Sequence, residues 1–136
     1  MVQGNSKATS SREKSLHCVR VALEKKAFDL VLLDVQNVSS LAAYFLLCSG
    51  RSDRQVQAIA RSIEEDLKKM GIRPLGIEGF ERGKWILMDY DDVVVHVFLD
   101  PIRKFYDLEG LWLEAPRVDR VEQKARRFNL GAKVSG

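Results

Sequence analysis

The run Asp89-Tyr90-Asp91-Asp92 sets two carboxylates one residue apart with a third beside them. Such a group can hold Mg²⁺ for phosphoryl or nucleotidyl transfer. The same residues also suit a hairpin turn, because short acidic side chains bond the local backbone. Turn chemistry accounts for them without a metal, and the parts that cradle a phosphate are missing. Ser49-Gly50-Arg51-Ser52 has a single glycine and no Walker lysine. A nucleotidyltransferase-like, metal-dependent enzyme using Asp89, Asp91 and Asp92 is therefore the alternative reading and not the leading one. Hydrolytic chemistry fares worse. His17 and His96 are the only histidines, and Cys48 could act as a nucleophile only if His96 reached it. Cysteine is more often a small buried hydrophobe, and His96 reads as a structural or contact residue. No catalytic residue, metal or cofactor is assigned.

Basic chemistry sits at the ends. The 136-residue chain has 22 Lys and Arg against 19 Asp and Glu, a net +3. Residues 1–15 sum to +2 and residues 117–136 to +4, which leaves the middle at −3. Arg126-Arg127 beside Phe128 could meet phosphate non-specifically. Between Asp89 and Glu114, seven acids face only Arg103 and Lys104, so phosphate would be repelled there. Trp85, Tyr90, Phe105, Tyr106 and Trp112 lie in or next to that acidic stretch. Aromatic anchors with a charged rim suit a basic protein partner. Phe105 and Leu108 read as packing for a last helix. Tyr90, at a turn tip, reads as exposed and free for contact, with Trp85 and Tyr106 shared between core and interface.

The length suits one domain, and 46% hydrophobic content excludes a wholly disordered chain. No apolar run reaches the roughly 18 residues of a membrane helix, and no secretory signal is visible. With two cysteines, Cys18 and Cys48, a disulfide scaffold is excluded, which fits a reduced, cytoplasmic protein. Residues 1–14 read as a flexible lead-in, 15–116 as the domain and 117–136 as a basic tail, one helical segment or disordered. Ser15 is placed as the cap of a first helix to Ala27, with Leu16, Val19, Leu23 and Ala27 inward. Strands are expected at Phe28 to Val35 and Tyr44 to Cys48. Val56, Ile59, Ile63, Leu67 and Met70 define the clearest helix, capped by Ser52 or Asp53 and closed by Gly71. A short strand near Pro74 to Glu78 precedes a hairpin over 84–99. With Tyr90-Asp91 central, Asp89 faces Asp92 and Trp85 faces His96. Ile86, Met88, Val93, Val95 and Val97 then make an apolar face, and Trp85, Leu87, Val94 and His96 a mixed one, where function could sit. Pro101 opens a last helix, placed at Arg103 to Leu113. The order α-β-β-α-β-β-β-α predicts an α/β domain with a mixed five-stranded sheet and flanking helices.

The blocks Trp85-Ile86-Leu87-Met88-Asp89, Asp92-Val93-Val94-Val95-His96-Val97-Phe98 and Arg103-Lys104-Phe105-Tyr106-Asp107-Leu108-Glu109 with Leu111-Trp112 resemble the ribosomal silencing factor family, also called Iojap-like. Asp34-Val35, Cys48-Ser49-Gly50 with Ser52 and Arg54, and Pro74-Leu75-Gly76-Ile77-Glu78-Gly79 agree with it, over about residues 15–116. The resemblance implies a nucleotidyltransferase-like fold without catalytic machinery. It implies binding to the large ribosomal subunit at its ribosomal protein fourteen, and a steric block to joining of the small subunit. Trp85, Tyr90 and Tyr106 match the family's contact surface, with Asp89, Asp92, His96 and Glu109 as neighbours. Ala43 stands where the family usually has Asp, so no role of that acid carries over. Asp91 stands where the family usually has Gly, which matters if the turn needs positive φ. The basic tail 117–136 falls outside the resemblance and is expected to touch ribosomal RNA weakly. A homodimer through a sheet edge or the aromatic face is left open.

Overall fold

A computed structural model describes residues 10–107 and 115–127, apart from the Tyr106 side chain. Helix α1 runs Ser11–Glu24, ahead of the expected start. Ser10 is the cap: its hydroxyl accepts from the Glu13 backbone N–H, and the Glu13 carboxylate accepts from the Ser10 N–H, both at 3.1 Å. Ser15 lies inside the helix, its hydroxyl donating to the Arg12 carbonyl at 2.7 Å. The lead-in therefore stops short of residue 14, because the capping pair Ser10/Glu13 nucleates the helix earlier.

Five strands follow in the expected order: β1 Phe28–Asp34, β2 Tyr44–Gly50, β3 Gly76–Glu78, β4 Trp85–Asp89 and β5 Val93–Leu99. Helix α2, Asp53–Lys69, lies between β2 and β3, with Ser52 capping the Gln55 N–H. Gly71 has φ 79° beyond its end, as its position foretold. The sheet order is β1-β2-β5-β4-β3, and only the β2–β5 pair is parallel. Parallel neighbours need a long crossover connection, which α2, β3 and β4 supply between β2 and β5.

One sheet face packs on both helices. Leu46, Cys48, Ile86, Met88, Val95 and Val97 meet Val19, Ala22, Val56, Ile59 and Ile63, all fully buried. Cys18 and Cys48 sit in this core, where burial pushes both thiols up to about 12 and leaves them inert. The other face gathers Leu33, Leu47 and Phe98 beneath Ile102 of α3, Asp100–Tyr106. Helix α3 starts earlier than expected because Pro101 occupies its first turn, and it ends at Asp107 in the left-handed region, φ 47°. Leu108 to Leu113 lie outside the described residues.

The division at residue 116 is not a structural boundary. The Asp34 N–H donates to the Pro116 carbonyl and the Val118 N–H to the Leu32 carbonyl, with Leu33 bridging Arg117. This stretch covers the outer edge of β1, so that edge is not open to a second copy. Residues 121–127 are helical, and Val121 and Ala125 join the core beneath α1 and the sheet. The few apolar residues among the tail's charges are the ones that dock it.

Candidate protein-docking face

The hairpin turn sits one residue later than expected, with the same two-residue loop. Asp89 pairs with Val94, and the Tyr90 N–H donates to the Val93 carbonyl, so Asp91-Asp92 are central. The register moves by two residues, so both faces keep their expected residues while partners change. Trp85 pairs with Phe98, and Leu87 with His96. Trp85 and His96 remain diagonal neighbours, and the Trp85 Nε1–H donates to His96 Nδ1 at 3.1 Å.

His96 is 5% exposed, stacked on Phe98 at 5.9 Å and met edge-on by Phe45 at 5.7 Å. Burial lowers its pKa to about 4, so the ring is neutral and accepts through Nδ1. Packed on Phe98 and bonded to Trp85, His96 forms the floor of the face. Trp85 tilts over Phe98 at 5.1 Å, half-buried. Phe45, Leu87 and Val94 are half-buried around it, forming an apolar row on one side of the sheet. Phe45 was not singled out from sequence. Its place beside Val94 depends on the parallel β2–β5 register, which no local pattern encodes.

Two aromatic assignments exchange places. Tyr90 is 2% exposed and lies in the helix-side core, against the expectation of a free turn-tip ring. Alternation explains it: Tyr90 continues the inward series Ile86, Met88. Its hydroxyl finds no partner among the described residues, and burial raises its pKa well above the usual phenol value. Phe105, expected to pack inward, is 80% exposed on α3, where Ile102 and Arg103 take the inward positions. The side chain of Tyr106 and all of Glu109 lie outside the described residues.

The acids have local partners. Asp92 takes the Lys14 ammonium at 2.6 Å and the Ser11 hydroxyl, tying the hairpin to the first turn of α1. Burial alone would raise the Asp92 pKa, but these bonds and the Lys14 charge hold it below the usual carboxylate value. Asp89 accepts the Asp91 N–H at 2.8 Å. Asp91 has φ 75°, so the turn does need positive φ at this position. Two of the three carboxylates of the alternative reading are thus spent on the turn and on α1. Among the described residues, no group of His, Cys, Asp and Glu is arranged to hold a metal.

A mixed five-stranded α/β domain with one sheet face closed by helices and the other carrying an aromatic row defines the class. The chain belongs to the ribosomal silencing factor family: residues 8–134 match the family model described as "Ribosomal silencing factor during starvation". That match runs through the basic tail, against the expectation that the resemblance ends near residue 116, and agrees with the packing of 115–127 on the domain. The ribosomal silencing factor RsfS of Bacillus subtilis is 48% identical over 96 residues, covering 71% of this chain and 81% of that one. The chloroplastic protein Iojap of Arabidopsis thaliana is 29% identical over 105 residues, 77% of this chain and 44% of that one. The crystal structure of a protein from Chromobacterium violaceum superposes with TM-score 0.75 at 38% identity, covering 76% of this chain and 87% of that one.

Proposed function

We propose that this chain is a non-enzymatic cytoplasmic repressor that binds the large ribosomal subunit at its ribosomal protein fourteen and blocks joining of the small subunit. The observation that carries this reading is the second sheet face. Trp85, Phe45, Leu87 and Val94 present an apolar surface over a rigid, buried His96–Phe98 floor, in a chain of the silencing-factor family. Rigid aromatics with little entropy to lose make good anchors. Occlusion needs no turnover, only a bound body of this size at the joining surface.

Asp89 stands at the end of β4 beside this face, and Tyr106 and Glu109 follow Phe105 in the chain. They would meet Lys and Arg of the ribosomal protein at the rim. Asp92 is assigned instead to holding α1, and Tyr90 to the core. Phe105→Ala, on an exposed side chain, is expected to weaken co-sedimentation with isolated large subunits about tenfold or more, with the urea midpoint unchanged. Trp85→Phe, which keeps the ring but deletes the donor to His96, is expected to weaken it less. Full binding by both variants would remove the face from the contact.

A further inference from the structure

We infer that the end of the molecule around the start of α2 is a second docking surface, for the phosphate backbone of RNA. Strand register places the loops. Phe28 pairs with Ser49, Gly50 with Leu99 and Trp85 with Phe98, so the segments just before β1, after β2 and before β4 share one end of the sheet. Lys25 and Lys26 precede β1, Arg51 and Arg54 follow β2, and Arg82 precedes β4, all of them exposed. Arg61, also exposed, lies two turns further along α2. None of these six forms an ion pair among the described residues.

The loops are held, not merely nearby. Gln55 Nε2 donates to the carbonyls of Lys25 and Lys26 at 3.2 and 3.0 Å. Gln57 Nε2 donates to those of Phe80 and Glu81 at 2.9 and 3.1 Å. Two guanidinium groups lie over rings, Arg51 over Phe28 at 4.5 Å and Arg61 over Phe80 at 4.8 Å. Stacking of that kind fixes the planar fork that phosphate oxygens prefer. The acids at this end are matched by bases: Asp53 is paired with Lys84 and Asp100 with Lys104, both at 3.1 Å, and Glu24 with Arg20, while Asp29 and Asp107 line a hollow by α3 with Arg103 and Arg117, which leaves Glu81 beside Arg82. Asp34, Asp89, Asp91 and Asp92 gather at the opposite end of the same strands. The unpaired bases therefore lie at one end of the strands and the turn acids at the other, a separation hidden by the net charge of residues 16–116.

The proposal depends on the ribosome reading only for which RNA is met. The test uses the full chain with Lys25→Gln, Lys26→Gln, Arg54→Gln and Arg82→Gln together, four exposed side chains with no ion pair. Binding to a labelled RNA hairpin and to isolated large subunits is measured between about 50 and 200 mM salt. In both arms the plot of log affinity against log salt is expected to be shallower by about 3.6 in the variant, from roughly 0.9 for each of the four lost phosphate contacts. Equal slopes and affinities for variant and wild type would overturn the proposal. So would a loss confined to a Lys124→Gln, Arg126→Gln, Arg127→Gln variant, which would place the contact in the tail. Equal competition by polyglutamate would mark a surface with no preference for RNA and overturn it too. A wild-type chain that ignores subunits would defeat the ribosome reading, while the hairpin arm still decides this one.

Discussion

His96 shows how one residue sets the character of the docking face. Its ring stays neutral to about pH 4 because burial disfavours the imidazolium, and Trp85 donates to it. Unfolded, the same ring would take a proton below about pH 6.5. Its contribution to stability is therefore complete above pH 6.5 and is lost as pH falls toward about 4, on the order of 3 kcal/mol. The His96 Cε1–H signal in NMR should show no inflection between pH 8 and 5; a midpoint near 6.5 would contradict the buried assignment. Tyr90 makes the opposite case, a buried hydroxyl with no partner among the described residues. Tyr90→Phe is expected to leave stability unchanged or raise it by about 1 kcal/mol, and Tyr90→Ala to lower it by about 3–5 kcal/mol, read from urea midpoints.

At the scale of elements, the 115–127 segment is the least expected part of the fold. It edges β1 and buries Ala125 completely, so it supports the domain it follows. Ala125→Asp is expected to lower unfolding free energy by about 3 kcal/mol or more, because a carboxylate would be placed in the core. A variant with an unchanged urea midpoint would show that the segment is dispensable. Helix α2 and the two hairpin faces were legible in sequence because period 3.6 and period 2 are local properties. The hairpin register was not, since a shift of two residues preserves both faces and leaves no trace in the pattern. The cap of α1 was missed for a related reason. Ser10 and Ser15 are equally good caps by type, and only the Glu three residues after Ser10 separates them. Of the candidate site, Trp85 and His96 were legible through alternation. Phe45 was not, because it arrives through a parallel pairing across α2, and the burial of Asp92 against Lys14 joins residues 78 apart.

For the whole molecule, the helix-covered side of the sheet is core, and the two docking surfaces proposed above are the opposite face, with its aromatics, and the end around α2, with its bases. The net charge of +3 conceals this arrangement. A body held at two places on a large subunit would be rigidly oriented, which is what steric exclusion needs and catalysis does not. The most direct measurement is subunit joining followed by light scattering or sucrose gradients, with the protein added to large subunits before small ones. A fall in joined ribosomes is expected as protein concentration rises, with the protein found only on free large subunits, and Phe105→Ala should need more protein for the same fall. Undiminished joining with the protein still bound to large subunits, or protein travelling on joined ribosomes, would contradict occlusion.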